Sequence, residues 1–266
     1  MKLLCPICGE ILDRIEKQYR CGNGHSFDLA RQGYVNLLPV QQKRSLNPGD
    51  TREQVLGRRA FLETGCYEPI SNTLNETAKA LGATGPILDV GCGEGYYSAR
   101  LAEALGAELT GLDISKEAVR CAAAKYKGPQ WLCGTAAHLP VESHSAGVVT
   151  SLFALTMAEE FKRVLRPDGY FFQVLAAEDH LLGLKSIIYP ELKFKEKNTV
   201  PEVPGFEMVK SVPIRFTFTV EGEQVQNLLG MTPHVFRITK EGAARLAATE
   251  KLTDTASAVL NVYRVV

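Results

Sequence analysis

No stretch of the 266 residues approaches the eighteen or so consecutive apolar positions that a membrane-spanning helix requires. Net charge is missing too. Thirty Lys and Arg balance thirty Asp and Glu, so no overall field draws the chain to nucleic acid and any such attraction has to be local. Internal repeats and low-complexity tracts are absent, which excludes repeat architectures. No apolar h-region with a cleavage site follows Met1-Lys2-Leu3-Leu4, so nothing points to an oxidising compartment and the expected location is the cytoplasm. What is present is 45% apolar content over a length that suits one full α/β domain and a small satellite.

The satellite announces itself first. Cys5 and Cys8 stand in a C-P-I-C-G turn, and after twelve further residues Cys21 and His25 stand in C-G-N-G-H. Four soft ligands, two on each of two glycine-relaxed turns, match the spacing of a Cys3His zinc ribbon. A disulfide pair or free core thiols are the competing readings. A closed four-ligand site leaves no position for water, so such a metal is structural rather than catalytic. Cys66, Cys121 and Cys133 show no ligand-like spacing and read as buried or incidental thiols.

Residues 1–35 are expected to form the metal-binding ribbon, 36–50 a linker rich in Gly, Pro and polar residues, and 51–266 the main domain. Residues 1–60 hold ten basic against six acidic side chains. Lys43, Arg44, Arg58 and Arg59 are the candidates there for contacting a polyanion, with an ordinary solvated face as the alternative. Asp50 reads as an N-cap with Glu53 three residues on, opening a helix that runs to Gly65, and a second helix is expected over 69–81. From Pro86 strands and helices alternate: strands at 87–90, 108–112, 130–133, 147–153 and 169–175, helices at 96–105, 116–126 and 158–165. That alternation implies βαβ units and a parallel sheet. Two long strand-like runs, 208–220 and 256–265, are expected to pair as an antiparallel edge hairpin.

The first strand of this series runs into Gly91-Cys92-Gly93-Glu94-Gly95 and then a helix, which is a nucleotide-type loop. A dinucleotide fingerprint would place its third glycine at 96, where Tyr96 stands. With Asp89 in the strand, the spacing favours S-adenosylmethionine over NAD, and a purely structural glycine turn is the alternative. Asp113 ends the next strand, where its two carboxylate oxygens can accept both ribose hydroxyls. A third element, 134–140 with Ala136, follows the third strand where such folds close on the adenine.

Read together, C-P-I-C-G, the run 21–39, K-R-S-L-N-P-G-D at 43–50, R-R-A-F-L-E-T-G-C-Y at 58–67 and L-D-V-G-C-G-E-G-Y-Y at 88–97 resemble the RlmA-type ribosomal-RNA guanine-N1 methyltransferases of bacteria. The resemblance covers most of the chain. It implies an α/β fold with a Rossmann-like class I S-adenosylmethionine-dependent methyltransferase domain and a small N-terminal zinc ribbon that helps grip RNA. It also implies a large-subunit rRNA hairpin as substrate, with a homodimer as an open expectation. By the same resemblance Tyr67, Glu94, Gly95 and His180 join the cofactor contacts. Two departures stand out. Phe153-Ala154-Leu155-Thr156-Met157 replaces an Ala-Pro pair followed by Arg or Cys, and Gly147 stands where an acidic residue is common in this fold. Both bear on base selection and catalysis rather than on cofactor binding.

Guanine N1 carries a proton at neutral pH, so methylation there needs a proton acceptor. Glu159, Glu160, Asp179 and His180 are candidates that spacing alone does not separate. Two other functions compete with rRNA methylation: a small-molecule methyltransferase with the ribbon as a lid, and a catalytically silent protein that binds cofactor and RNA.

Overall fold

The computed structural model describes residues 1–39, 48–192 and 196–266. Lys43 and Arg44 lie outside the described residues. Four short strands, β1 (Leu3–Leu4), β2 (Ile11–Ile15), β3 (Gln18–Arg20) and β4 (Ser26–Asp28), form an antiparallel sheet in that order. The next strand, β5 (Tyr34–Asn36), belongs to a different sheet, so the boundary expected at residue 35 falls inside a strand. A ribbon this small exposes one face and must bury the other on something larger. Leu3, Leu12 and Tyr19 share a buried cluster with Val35, Leu88 and Val149, and the Leu4 N–H donates to the Pro140 carbonyl. Ribbon and main sheet thus have one continuous core.

Helix α1 (Arg52–Leu62) opens with a capping box in which Thr51 Oγ1 accepts from the Gln54 N–H and Gln54 Oε1 accepts from the Thr51 N–H. The cap is therefore Thr51 and not Asp50, whose carboxylate is taken by Arg58 at 2.5 Å. After α2 (Glu68–Ala80) come β6 (Ile87–Val90), α3 (Tyr96–Leu105), β7 (Leu109–Asp113), α4 (Lys116–Lys125), β8 (Gln130–Cys133) and β9 (Ala146–Leu152). Every residue of β6 and β9 is buried, as strands covered on both faces require. Then follow α5 (Ala158–Val164), β10 (Leu165–Ala176), α6 (Leu182–Ile188), β11 (Phe206–Glu221), α7 (Glu223–Gly230), α8 (Lys240–Ala247) and β12 (Lys251–Val265).

The strand order is β11-β12-β10-β9-β6-β7-β8-β5. The pairings from β5 to β10 are parallel, whereas β12 pairs antiparallel with both β10 and β11. The chain winds outward from β6 through β7 to β8, then crosses back to place β9 on the other side of β6. The crevice at that reversal, beyond the carboxyl ends of β6 and β9, is where open α/β sheets bind ligands. The expected hairpin is present with helices inserted, but only β11 is an edge, since β12 lies between it and β10. Pro213, a bulge between Met208 and Lys210, and exposed Lys210, Arg215 and Glu221 blunt that edge, which disfavours a homodimer built by continuing the sheet. Among the described residues no helix is long and apolar enough to cross a membrane.

Gly147 opens β9 at the end of the sheet opposite the glycine loop, so its departure from an acidic residue does not touch the crevice. A Cβ there would stand 2.0 Å from the Thr84 carbonyl oxygen. Gly147→Ala should therefore cost about 1 to 3 kcal/mol of stability through overpacking, read as a lower midpoint in denaturant unfolding.

Candidate functional site

In the ribbon, the ligand atoms of Cys5, Cys8, Cys21 and His25 all lie within 4.8 Å of one another. Tight turns bring them there. The Gly9 N–H donates back to the Cys5 carbonyl and the Gly24 N–H to the Cys21 carbonyl, with both glycines in the left-handed region that a side chain would strain. Cys8 Sγ is 3.8 Å from Cys21 Sγ, and His25 Nδ1 is 3.6 Å from Cys5 Sγ and 3.4 Å from Cys21 Sγ. A tetrahedron with zinc bonds of about 2.3 Å to sulfur and 2.0 Å to nitrogen has edges of about 3.5 to 3.8 Å, so the four residues fit zinc bound through His25 Nδ1. The Glu10 backbone N–H, with the Asn23 side chain, pulls the Cys8 thiol down to about 6, which favours the thiolate that a metal binds. Burial pushes the Cys5 thiol the other way.

At the crevice, the loop 91–95 joins β6 to α3. A Cβ on Gly91 would stand 2.6 Å from the Ala154 Cβ, and one on Gly95 2.7 Å from the Trp131 ring, so the loop can only be this close to its neighbours without side chains. Asp113, at the end of β7, accepts the Gly93 N–H at 2.9 Å and the Ser115 N–H at 2.8 Å, one on each carboxylate oxygen. A second lone pair remains on each oxygen for a ribose hydroxyl. Burial raises the Asp113 carboxyl, against those two N–H bonds. The Gly134 N–H donates to the Asp113 carbonyl, which brings half-buried Ala136 and its turn to the same end of the sheet.

Glu94 is 3% exposed, and its Oε1 accepts from the Tyr96 N–H while its Oε2 has no partner among the described residues. An orphaned buried carboxylate oxygen in a glycine loop is a place waiting for a donor. Together with the Asp113 oxygens it fits S-adenosylmethionine, which carries an ammonium and two ribose hydroxyls. Asp89 does not share this role. It is 3% exposed, and its two oxygens accept from Ser98 Oγ at 2.5 Å and Thr150 Oγ1 at 2.6 Å, so it ties α3 and β9 to β6 and presents nothing to a ligand.

Tyr67, the residue before α2, and His180, in the segment after β10, are brought together. Tyr67 is packed edge-on against Phe61, Phe216 and Phe218, and its hydroxyl lies 3.4 Å from His180 Nε2. The Ser257 N–H donates to His180 Nδ1, so in the neutral ring the proton sits on Nε2, facing Tyr67. Burial above all, then Lys185, lowers His180 to about 4. A neutral imidazole with its proton on Nε2 is a donor at the site and no acceptor for a guanine proton. Glu160 accepts from the Leu139 N–H and from Arg163; burial raises its carboxyl, but these partners outweigh burial and hold it below its ordinary value. Asp179 is paired with Arg215. Glu159, in the first turn of α5, keeps its carboxylate without a partner among the described residues.

Two residues named from the sequence stand near the loop in roles that the sequence did not give them. Arg58, expected to face a polyanion, pairs with Asp50 and brings Nη1 to 3.7 Å from where a Gly93 Cβ would be; Arg59 pairs with Glu63, which also accepts from Lys125. Phe153 turns with φ of 54° directly after β9, and its ring centroid lies 6.2 Å from that of His180. The Arg59–Glu63 pair is at i,i+4 spacing and could have been read from the sequence, whereas the Arg58–Asp50 pair outside the helix and a left-handed phenylalanine leave no such signal. An open pocket of about 530 Å³ is lined by Ala177, Glu178, Asp179, Lys197 and Thr199.

Purified protein should carry about one equivalent of zinc, and Cys21→Ser or chelation should unfold the ribbon, seen as loss of metal and of thermal stability; a fully stable Cys21→Ser protein would contradict the metal assignment. For His180 the sign is set by its lowered value. As pH falls from about 6.5 to 4, the unfolded chain takes up a proton that the folded chain refuses, so stability should drop across that window by up to about 3 kcal/mol and be unaffected above it. The difference in pH-dependent unfolding between the parent and His180→Gln isolates this contribution.

Residues 3–46 match the family model for the RlmA N-terminal zinc ribbon, and residues 88–173 match a methyltransferase domain. A demethylmenaquinone methyltransferase of Chlorobaculum tepidum is 32% identical, but over only 45% of this chain and 50% of its own. Among solved structures, a protein of Anaeromyxobacter dehalogenans provisionally named as a type II methyltransferase superposes with a TM-score of 0.52 at 18% identity, over 71% of this chain and 95% of its own, which speaks for the fold alone. A Micromonospora griseorubida protein provisionally named as a 23S rRNA (guanine-N1)-methyltransferase is 33% identical over 98% of this chain and 97% of its own. The 23S rRNA (guanine(748)-N(1))-methyltransferase of Streptomyces fradiae is also 33% identical, over 92% of this chain and 90% of its own. With ribbon, glycine loop and near full-length likeness in agreement, the chain belongs to the 23S rRNA (guanine-N1)-methyltransferase family.

Proposed function

We propose that this protein transfers a methyl group from S-adenosylmethionine to N1 of a guanine in a hairpin loop of 23S rRNA, acting in the cytoplasm. The observation that carries the reading is the shared core. Leu3, Leu12 and Tyr19 of the ribbon pack in one cluster with Leu88 of β6 and Val149 of β9, so a metal-stapled module and a methyl-donor loop are presented as one body. Arg14, Lys17 and Arg20 of the ribbon support RNA as the partner, since each is exposed with no ion pair among the described residues, although Arg14 stands across from Tyr19 on one face and Arg20 across from Asp13 on the other. Arg58 and Arg59 are spent on internal ion pairs and support it less.

The ribbon is assigned zinc through Cys5, Cys8, Cys21 and His25. Gly91, Gly93 and Gly95 would let the cofactor lie on the backbone, Glu94 Oε2 would accept its ammonium, Asp113 would accept its ribose hydroxyls, and Ala136 would flank the adenine. Tyr67 and His180 would border the same pocket, with the Tyr67 hydroxyl, which accepts from His180 Nε2–H, left free to donate. The bound cofactor supplies a methyl group on a sulfonium, which leaves by in-line displacement. The protein's share is to hold guanine N1 about 3 to 3.5 Å from that carbon and to exclude water from between them. Of the three carboxylates among the candidate proton acceptors, Glu159 is the one not engaged by a partner among the described residues.

A small-molecule methyltransferase is the second reading, supported by the partial likeness to demethylmenaquinone methyltransferases, which leaves more than half of this chain unmatched. Incubating the protein with labelled cofactor and 23S rRNA lacking base methylation, then mapping the label, separates the two. Label at N1 of one guanine is expected; none on rRNA would move the small-molecule reading to first place. Asp113→Ala should weaken cofactor binding by about 1.5 to 3 kcal/mol in calorimetry, through lost charge-assisted hydrogen bonds and a loosened Gly93.

A further inference from the structure

We infer that Phe153 is the platform on which the target base stacks before methyl transfer, an inference that rests on the reading of the substrate as a guanine in RNA.

Phe153 is the first residue beyond β9, at the carboxyl end of the sheet where the crevice opens. Its N–H donates to the Val174 carbonyl at 2.9 Å, which pins the turn to β10. Ala154 then fills the space that a Gly91 side chain would need, so this segment lies flush against the glycine loop. Anything held above that loop has Phe153 at its side.

The ring has no part in the core. Phe61, Phe161, Phe171 and Phe172 are fully buried, while Phe153 is 41% exposed, and Leu155, two residues on, is 78% exposed. A φ of 54° is strained for a bulky side chain, and glycine would hold the same turn without that cost. What phenylalanine adds to this turn is therefore a ring in a set place, with strain as the penalty. His180 backs it: the two rings are tilted by 33°, and His180 is itself held by the Ser257 N–H and the Tyr67 hydroxyl. With 41% of its surface exposed among the described residues, the ring keeps area for a planar ligand.

RNA bases are captured by splaying them from the strand and laying them on an aromatic face. Stacking reads no hydrogen-bonding edge, so Phe153 would orient the guanine toward the methyl donor, while other groups read its identity. Phe153 is thus a base-positioning residue.

The test uses the full chain and four variants, Phe153→Leu, Phe153→Tyr, Phe153→Gly and Phe153→Trp. Steady-state methylation of 23S rRNA lacking the modification is measured alongside cofactor affinity by calorimetry. Phe153→Leu should lose kcat/KM on the order of 10- to 100-fold, Phe153→Tyr should stay within a few-fold of the parent, and cofactor affinity should be unchanged in both. Phe153→Gly should be as inactive as Phe153→Leu yet melt no lower than the parent, because it relieves the left-handed strain. A Phe153→Leu protein as active as the parent would overturn the inference, and so would a fall in cofactor affinity that matches the fall in activity. Failure of the parent to methylate any RNA would count against the function proposed above and not against stacking as such. In that event the emission of the Phe153→Trp protein decides: quenching by millimolar guanosine 5′-monophosphate beyond that of the parent supports stacking, and its absence overturns it.

Discussion

The buried carboxylate of Asp89 is the constraint around which the crevice is built. From the middle of β6 it reaches Ser98 on α3 and Thr150 on β9, so one side chain ties together the strand before the glycine loop, the helix after it and the strand across the switch point. Burial raises its carboxyl to about 6, and the two hydroxyl donors oppose that rise. An unpaired carboxylate in such a place would be costly; with both oxygens satisfied it becomes a joint. The loop 91–95 is suspended between two ends that this joint holds still.

The neighbouring groups depend on that anchoring. Because β9 is held against β6, Ala154 can close on Gly91 and Phe153 can project beside the loop. Because the loop is held, Gly93 can donate to Asp113, and Asp113 in turn braces Ser115 at the start of α4. The Ser115 hydroxyl then donates to the Asp50 carbonyl, and Asp50 pairs with Arg58 over Gly93. Residues just before α1 are in this way fastened onto the cofactor side of the sheet, while the ribbon is fastened to the sheet through Leu3, Leu4 and β5. The described residues before α1 thus function less as a tethered satellite than as an extension of the main core.

Division of labour among the ionisable groups follows from burial and partners rather than from residue type. Asp89, Glu94 and Asp113 are three carboxylates within a short reach of one another in the fold, yet one is a structural joint, one has an unpartnered oxygen and one holds two backbone N–H groups with lone pairs to spare. His180 is kept neutral, with its proton directed at Tyr67. Four acidic or basic side chains that looked alike as proton acceptors are separated by what each already binds.

Much of this was legible in the residue order because it depends on local rules. Ligand spacing revealed the ribbon, glycine punctuation revealed the loop, and the period of apolar residues revealed the strands from β6 to β10 within a residue or two, apart from the earlier start of β10. These signals are local because turns, caps and strand alternation are decided over a few residues. Other assignments needed the assembled chain. Thr51 took the cap expected of Asp50 once Arg58 had claimed the aspartate, and Tyr34–Asn36 joined the main sheet because β8 offered an open edge to it. Asp89 left the ligand site for a joint, since which partners a buried carboxylate finds is settled by strands and helices sixty residues apart. Sequence by itself determined what kinds of groups the protein owns and the turns that carry them; only tertiary packing decided which of those groups face the crevice, because burial and hydrogen-bond satisfaction are properties of the whole fold.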